Sequence, residues 1–327
     1  MSAAVSAWCM FPVNARGQTE RMQTPKPKRS AGSSNVALGL PADARVLIVN
    51  ADDFGMYPAV NAGVVRSIED GIASSCSVMA PCPAAQDALQ LLRERPDVPF
   101  GIHLTLVCDT PGQRWGPLTP KDEVPSLLQD DGDLFSPAQV PDLLARARVE
   151  EVEREFRAQI RTVLDAGLSP THLDWHCLAD GGRGDILECT LALADEFGLA
   201  VRIWLDHPAL RRLRARGVPV VDHPFLDSFA LDLDGKANRY ADLLRALPVG
   251  LSEWAVHPGL GDEEARAIDG GWQVRSTDFD FLTSPAAAEI IAAEGIIVTD
   301  YRAAQQVWRD TRRPETGSQP SRPADMA

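Results

Sequence analysis

Basic residues are in deficit in this 327-residue sequence, because 32 Lys and Arg face 46 Asp and Glu and leave a formal net charge of -14. This excess of negative charge argues against nucleic acid or an anionic membrane as a partner. No apolar run reaches the roughly 18 residues that a membrane span needs, and the first residues lack the basic leader of a secretory signal. We therefore expect a cytoplasmic protein without membrane insertion.

Cysteine pairs are also lacking, since the six cysteines are scattered and none forms a Cys-x-x-Cys motif. Their spacing favours a reduced compartment over a disulfide framework. Cys177 adjoins His176 and could be a ligand, although a small buried hydrophobic residue is the simpler interpretation. No Gly-x-Gly-x-x-Gly turn follows the first predicted strand, which argues against dinucleotide binding.

Strand and helix patterns alternate along the chain between about residues 44 and 310. Apolar residues recur at intervals of three and four in the helical segments, and glycines such as Gly71 and Gly198 stand where helices end. Repeated strand–helix units with short connections predict an α/β fold with a parallel sheet that closes into a (β/α) barrel, with an open doubly wound sheet as the alternative. Residues 1–43 and 311–327 are rich in polar residues and proline, so we predict that they are disordered and that 44–310 form a single domain.

The residues with the clearest chemistry follow predicted strands. Asp52 and Asp53 follow the apolar strand Val46–Asn50. Burying two adjacent charges is costly unless a cation or a catalytic task uses them. Four of the six histidines stand in similar contexts, and they are His103, His172, His176 and His257. Because the carboxyl ends of parallel strands share one rim, these groups should converge there.

One carboxylate and two imidazoles would form a three-ligand set with open positions at a divalent ion. Such an ion lowers the pKa of bound water and polarises a carbonyl group. The other aspartate could then accept the proton of the water, and a histidine on the opposite side could protonate the leaving group. The residues thus indicate hydrolysis of an amide or ester.

His172 and Asp174 alternate with His176 along one predicted strand. His172 could be a ligand, but a buried structural position is at least as well supported by this pattern. Asp174 is a candidate to hold an imidazole in the tautomer that binds the ion.

Four segments, in this order, resemble the motifs of the YdjC-like carbohydrate deacetylases of the ChbG and HpnK type, and they are Asn50–Gly55, Gly101–Thr105, Pro170–His176 and His257–Gly259. The resemblance extends from about Arg45 to Arg302. It implies a (β/α) barrel, distorted or seven-stranded, that is related to the polysaccharide deacetylases. It also implies metal-dependent removal of an acetyl group from an N-acetylated sugar.

By the same resemblance, one divalent ion, Mg or Zn, would be held by three ligands, namely Asp53, His103 and His176. Asp52 would be the general base, His257 would help the amine depart, and Arg202 would orient Asp52. The family usually has further histidines after its Thr-His-x-Asp-x-His motif, whereas this chain has Cys177–Gly182 there. The resemblance therefore extends to the three ligands but not to the sugar preference.

We therefore expect a metal-dependent hydrolase whose partner is an acetylated sugar or glycan-bearing metabolite, and we leave a homodimer open. Two alternatives are a metal-dependent phosphoesterase or isomerase on the same rim, and a sugar-binding barrel without activity. Trp115, Trp175 and Trp272 could stack on sugar rings, although packing in the core or a lid is the simpler interpretation.

Overall fold

The computed structural model describes residues 33–110 and 112–311. The predicted disorder of residues 1–32 and 312–327 lies outside the described residues. Within the described part, the eight strands are β1 (Arg45–Phe54), β2 (Ser75–Val78), β3 (Phe100–Leu104), β4 (His172–Trp175), β5 (Ala200–Val201), β6 (Leu226–Asp227), β7 (Gly250–Val256) and β8 (Ile297–Thr299).

The α-helices of the described residues alternate with these strands. They are α1 (Ser33–Ala37), α2 (Pro58–Glu69), α3 (Ala85–Arg93), α4 (Val140–Arg146), α5 (Val149–Asp165), α6 (Gly184–Phe197), α7 (Pro208–Ala215), α8 (Lys236–Arg245), α9 (Glu263–Ile268), α10 (Trp272–Leu282), α11 (Pro285–Ala293) and α12 (Tyr301–Asp310). Short 3-10 helices lie at Lys121–Glu123, Pro125–Leu127, Pro137–Gln139, Ala179–Gly181 and Ser228–Ala230.

The strands form one parallel sheet in the order β5-β4-β3-β2-β1-β7-β6, and β8 pairs with β1 as well. β7 pairs with β1 along Arg45–Ala51, so β8 must share the other edge of β1 with β2. Among the described residues, β5 and β6 do not pair with each other, which leaves the barrel open between them. The prediction of a (β/α) barrel that is distorted or seven-stranded is confirmed, because seven strands form the continuous path of the sheet and β8 lies off this path.

Strand β1 lies at the centre of the core. Its sequence begins Arg-Val-Leu-Ile-Val, and all residues from Val46 to Phe54 are buried. Burying each large aliphatic side chain contributes about 1.5–3 kcal/mol, and a strand that is covered on both faces reads as a continuous apolar run. This strand therefore fixes where its two aspartates emerge at the rim.

The start of the ordered domain differs from the prediction. Residues 33–43, which the sequence places in a disordered extension, contain the helix α1. Ser34 Oγ donates to the carbonyl oxygen of Val220 at 2.7 Å, and Asn35 Nδ2 donates to that of Ala44 at 2.9 Å. These two buried polar side chains attach a short helix that composition alone does not predict.

No helix between residues 33 and 311 combines the length and the apolar character that a bilayer span requires.

Gly63 in α2 provides a test of how the segment after β7 is held. A Cβ atom at this position would lie 2.6 Å from Gly259 Cα and 2.8 Å from the carbonyl oxygen of Pro258. Backbone atoms cannot swing aside, so we expect Gly63→Ala to lower the free energy of unfolding by about 1–3 kcal/mol, despite the better helix propensity of alanine. Chemical denaturation measures this change.

Gly116→Ala is the matched control, because its Cβ would meet only Lys121 Cε at 3.8 Å. We expect a change within about 0.5 kcal/mol there. Equal stability of the two variants would contradict the close packing of α2 against Gly259.

Candidate metal centre

The two adjacent aspartates of β1 aim at the same site although neighbours in a regular strand point to opposite faces. The pairing of β1 with β2 shifts register between Ala51 and Phe54, and Asp53 has a left-handed φ of 67°. Such a bulge re-aims side chains. As a result, Asp52 Oδ2 and Asp53 Oδ1 lie 3.9 Å and 3.3 Å from the Nε2 atom of His103.

Two histidines from neighbouring strands meet Asp53. His103 in β3 faces Asp53 Oδ1 with Nε2, and His176, which directly follows β4, faces the same oxygen with Nδ1 at 3.1 Å. One donor atom from each of the three residues lies within 4.8 Å of the other two. The structure thus brings together the three residues that the sequence places at one rim, and their role as ligands remains a prediction.

Each histidine has a carboxylate at its other ring nitrogen. Asp174, the register partner of His103, has Oδ1 2.9 Å from His103 Nδ1. Asp109 has Oδ1 3.5 Å from His176 Nε2. A carboxylate in this position orients the ring and fixes the tautomer of a metal-bound histidine, so the donor geometry fits a cation between the rings and Asp53.

The charge around the site also fits a cation. Arg202 and Arg275 are buried together with six carboxyl groups that connect to the centre, and these are Asp52, Asp53, Asp109, Asp174, Glu253 and Asp269. Carboxylate and imidazole are ligands that suit Zn²⁺, and the carboxylates also suit Mg²⁺. The excess of buried negative charge would be reduced by a divalent ion.

The pKa directions of the centre follow from this charge. Burial opposes the protonated form of His103, but Asp174 and Asp52 outweigh it and raise its pKa to about 9. The pKa of His176 is raised as well, since the carboxylate of Asp109 outweighs burial. Burial likewise opposes ionisation of Asp53, yet Arg275 and the two imidazoles hold its pKa well below the usual value.

Arg202 directly follows β5 and pairs with Asp52. Its two terminal nitrogens each donate to one oxygen of Asp52 at 2.8 Å, and its Nε donates to Glu253 Oε1 at 2.8 Å. Nη2 also lies 2.9 Å from Asp174 Oδ2. This arrangement agrees with the predicted orienting role of Arg202, which remains a prediction.

The ring of His172 is fully buried. It stacks on Tyr301 with 3.8 Å between ring centres, and its Nδ1 lies 2.9 Å from Thr171 Oγ1. Gly101 leaves room for this ring, because a Cβ at Gly101 would lie 2.5 Å from His172 Nε2. His172 belongs to none of the possible ligand groups among the described residues.

His257 directly follows β7 and is buried. Its Nδ1 lies 2.8 Å from Ser228 Oγ, and its ring meets the Phe229 ring edge-on at 4.7 Å. The guanidinium carbon of Arg275 lies 5.4 Å from the centre of the same Phe229 ring. Contacts therefore run from His257 through Phe229 to Arg275, which pairs with Asp53.

Two residues around the centre are missed by reasoning from the sequence. Arg275 in α10 donates through Nη1 to Asp53 Oδ2 at 2.8 Å and through Nε to Asp269 Oδ2 at 2.7 Å. Nothing in the sequence around Arg275 indicates this contact. Asp109 stands six positions beyond His103 in the segment after β3, so its place near the rim could have been suspected.

The three tryptophans differ in exposure. Trp115 and Trp175 are buried, and their ring N–H groups donate to the carbonyl oxygen of Val107 and to Thr190 Oγ1. This agrees with packing rather than sugar stacking. Trp272 is half-buried, and Arg266 lies over its ring at 4.9 Å.

Residues 46–293 match the model of a family described as YdjC-like protein. A carbohydrate deacetylase of Geobacillus stearothermophilus is 30% identical over 260 residues, which are 79% of this chain and 97% of the relative. A carbohydrate deacetylase of Thermoanaerobacter pseudethanolicus is 31% identical over 258 residues, 79% of this chain and 98% of the relative. Among solved structures, a candidate cellobiose-phosphate cleavage protein of Enterococcus faecalis V583 is 26% identical with a TM-score of 0.68, and the match covers 80% of this chain and 98% of that one.

Arg202→Met should destabilise the protein strongly, because Asp52, Asp174 and Glu253 would lose their shared buried partner. Removing one side of a buried ionic network costs roughly 3–5 kcal/mol. The free energy of unfolding of the metal-free protein, from denaturant titration, measures this loss.

Arg212→Met is the control, because Arg212 pairs with Glu188 at 2.8 Å while both side chains are about half exposed. Such a surface pair contributes less than about 1 kcal/mol. If both variants lost the same stability, Arg202 would not hold the carboxylates together.

Proposed function

The chain belongs to the YdjC-like protein family, and from this premise we propose that it is a carbohydrate deacetylase that hydrolyses the acetyl amide of an N-acetylated sugar with the help of one divalent ion, Mg or Zn. The observation that carries the proposal is the meeting of Asp53, His103 and His176 next to Asp52. A set of donor groups directly beside a separate, oriented carboxylate is what amide hydrolysis by activated water needs. The relatives named as carbohydrate deacetylases match nearly their whole length and support the same reaction.

Asp53, His103 and His176 would hold the ion. When bound, it would act as a Lewis acid toward the acetyl carbonyl and would lower the pKa of the attacking water. Asp174 would keep His103 in the tautomer that leaves Nε2 for the ion, because its carboxylate lies 2.9 Å from Nδ1 and can only accept a hydrogen bond, which favours a proton on that nitrogen.

Asp52 would accept the proton of the attacking water. Arg202 holds both of its oxygens, and Asn50 Nδ2 donates to Oδ1 at 2.7 Å, so the carboxylate is fixed in one orientation. A base that is already positioned loses no side-chain entropy when the substrate arrives.

His257 would protonate the departing sugar nitrogen. Ser228 Oγ occupies its Nδ1, which leaves Nε2 as the nitrogen that carries the transferable proton. The edge contact with Phe229 restricts rotation of the ring.

Asp52→Asn should lower kcat for acetate release by about 10²–10⁴-fold, the usual contribution of a general base. The shape of the side chain and one hydrogen bond from Arg202 are retained, so binding of the ion should change little. The assay measures acetate released from a panel of N-acetylated mono- and oligosaccharides and from their phosphorylated forms.

Asp130→Asn is the control for this prediction, since the Asp130 side chain is almost fully exposed. It should keep wild-type turnover on the same panel. Undiminished acetate release by Asp52→Asn would refute the role of the base, and turnover of a phosphoester alone would favour the phosphoesterase alternative.

Binding of the ion should release protons, because the pKa of His103 is raised from 6.5 to about 9 in the metal-free protein. Below pH 9 the ring is protonated and must lose its proton before it can bind a metal. We therefore expect the affinity for Zn²⁺ to increase as the pH rises from 6 toward 9. Calorimetry in two buffers with different ionisation enthalpies counts the released protons.

The same raised pKa has a consequence for stability. The protonated imidazole stabilises the metal-free fold fully below pH 6.5, and this contribution is lost as the pH rises through about 9.

The double variant His103→Ala/His176→Ala should bind no ion at this centre. Full metal content in that variant would remove the ligand assignment.

A further inference from the structure

We propose that Asp109, His176 and Cys177 form a second cation site, on the side of the His176 ring that faces away from Asp53, and that this site takes a thiophilic divalent ion such as Zn²⁺. His176 Nε2 lies 3.5 Å from Asp109 Oδ1 and 3.4 Å from Cys177 Sγ. One donor atom of each residue lies within 4.8 Å of the other two. The site shares His176 with the proposed function, but it does not depend on deacetylation.

Asp109 is the observation that points to a ligand. Its side chain is 1% exposed, and its Oδ2 atom has no hydrogen-bond partner among the described residues. A buried carboxylate oxygen without a partner is costly. Because Oδ1 of the same group already faces His176 Nε2, a cation beside that nitrogen would lie within reach of this carboxylate.

Cys177 supplies the soft donor. It follows His176 directly and has a left-handed φ of 58°, and its Sγ atom lies beside the ring of its own neighbour. The residue is half-buried, whereas Cys82 and Cys108 are buried and burial raises the pKa of both thiols. Among these three cysteines, Cys177 is the one that is partly exposed.

The donor types select the ion. A thiolate, an imidazole and a carboxylate favour Zn²⁺ or Co²⁺, whereas Mg²⁺ prefers oxygen ligands. The first centre uses Nδ1 of His176 and the second uses Nε2. An ion in the second site would therefore replace the ring proton, which passes to solvent, and would leave the nitrogen that faces Asp53 in place.

The test is titration of the metal-free full-length protein with Co²⁺, because a thiolate bound to Co²⁺ gives a charge-transfer absorption in the near ultraviolet. We expect this absorption in the wild type and its loss in Cys177→Ser. Cys108→Ser is the matched control, since Cys108 adjoins Asp109, and it should keep the absorption. An excess of Mg²⁺ should not displace the ion that gives the signal.

Two further variants separate this site from the first centre. His103→Ala removes a proposed ligand of the first centre only, so the absorption should persist. Asp109→Asn should weaken Co²⁺ binding by about tenfold or more, as measured with the same absorption. If Cys177→Ser does not fold, this variant decides whether the second site exists.

No charge-transfer absorption in the wild type, or undiminished absorption in Cys177→Ser, would overturn the second site. A protein that releases acetate but lacks the absorption loses this inference alone. A protein that shows the absorption but releases no acetate loses the proposed function alone.

Discussion

The guanidinium group of Arg202 is the charge on which the arrangement of the rim depends. It contacts carboxylates from three strands, namely Asp52 in β1, Asp174 in β4 and Glu253 in β7. β5 and β6 do not pair within the described residues. The bond from Arg202, which directly follows β5, to Glu253 in β7, the neighbour of β6, therefore crosses the opening where backbone hydrogen bonds do not. One buried cation therefore joins the barrel across its opening and also aims the proposed base. A planar guanidinium can do both, because its donors point in several fixed directions.

The second constraint is the irregularity at the end of β1. A regular strand would send Asp52 and Asp53 to opposite faces, and only one of them would reach the rim's interior. The shifted register and the left-handed backbone at Asp53 bring both carboxylates to His103. Arg275 donates to Oδ2 of Asp53, and Oδ1 of the same carboxylate faces the two imidazoles. The irregular backbone thus lets the two neighbouring carboxylates contact different partners. Asp52 pairs with Arg202, and Asp53 faces the two histidines.

Much of this arrangement could be predicted from the sequence, because parallel strands bring their carboxyl ends to one edge. That rule and the alternation of strands and helices were enough to predict that Asp52, His103 and His176 lie at the same rim. The partners from outside the strands could not be predicted in the same way. Arg275 approaches from α10 and α1 docks through Ser34, and both contacts depend on tertiary packing that leaves no periodic signal in the sequence. The open edge between β5 and β6 is likewise a property of two very short strands, which a propensity pattern does not resolve.

The two imidazoles of the centre are held with unequal rigidity. Asp174 contacts His103 at 2.9 Å and is itself paired with Arg202, so the tautomer and orientation of that ring are fixed from behind. Asp109 contacts His176 at 3.5 Å and keeps one oxygen without a partner among the described residues. A substitution at Asp109 or Cys177 should therefore cost less stability, because it does not disturb the bonds from Arg202 that orient Asp52. Cys177 lies on this less constrained side, where a change of donor can alter the preferred cation while the proposed base and its arginine stay in place.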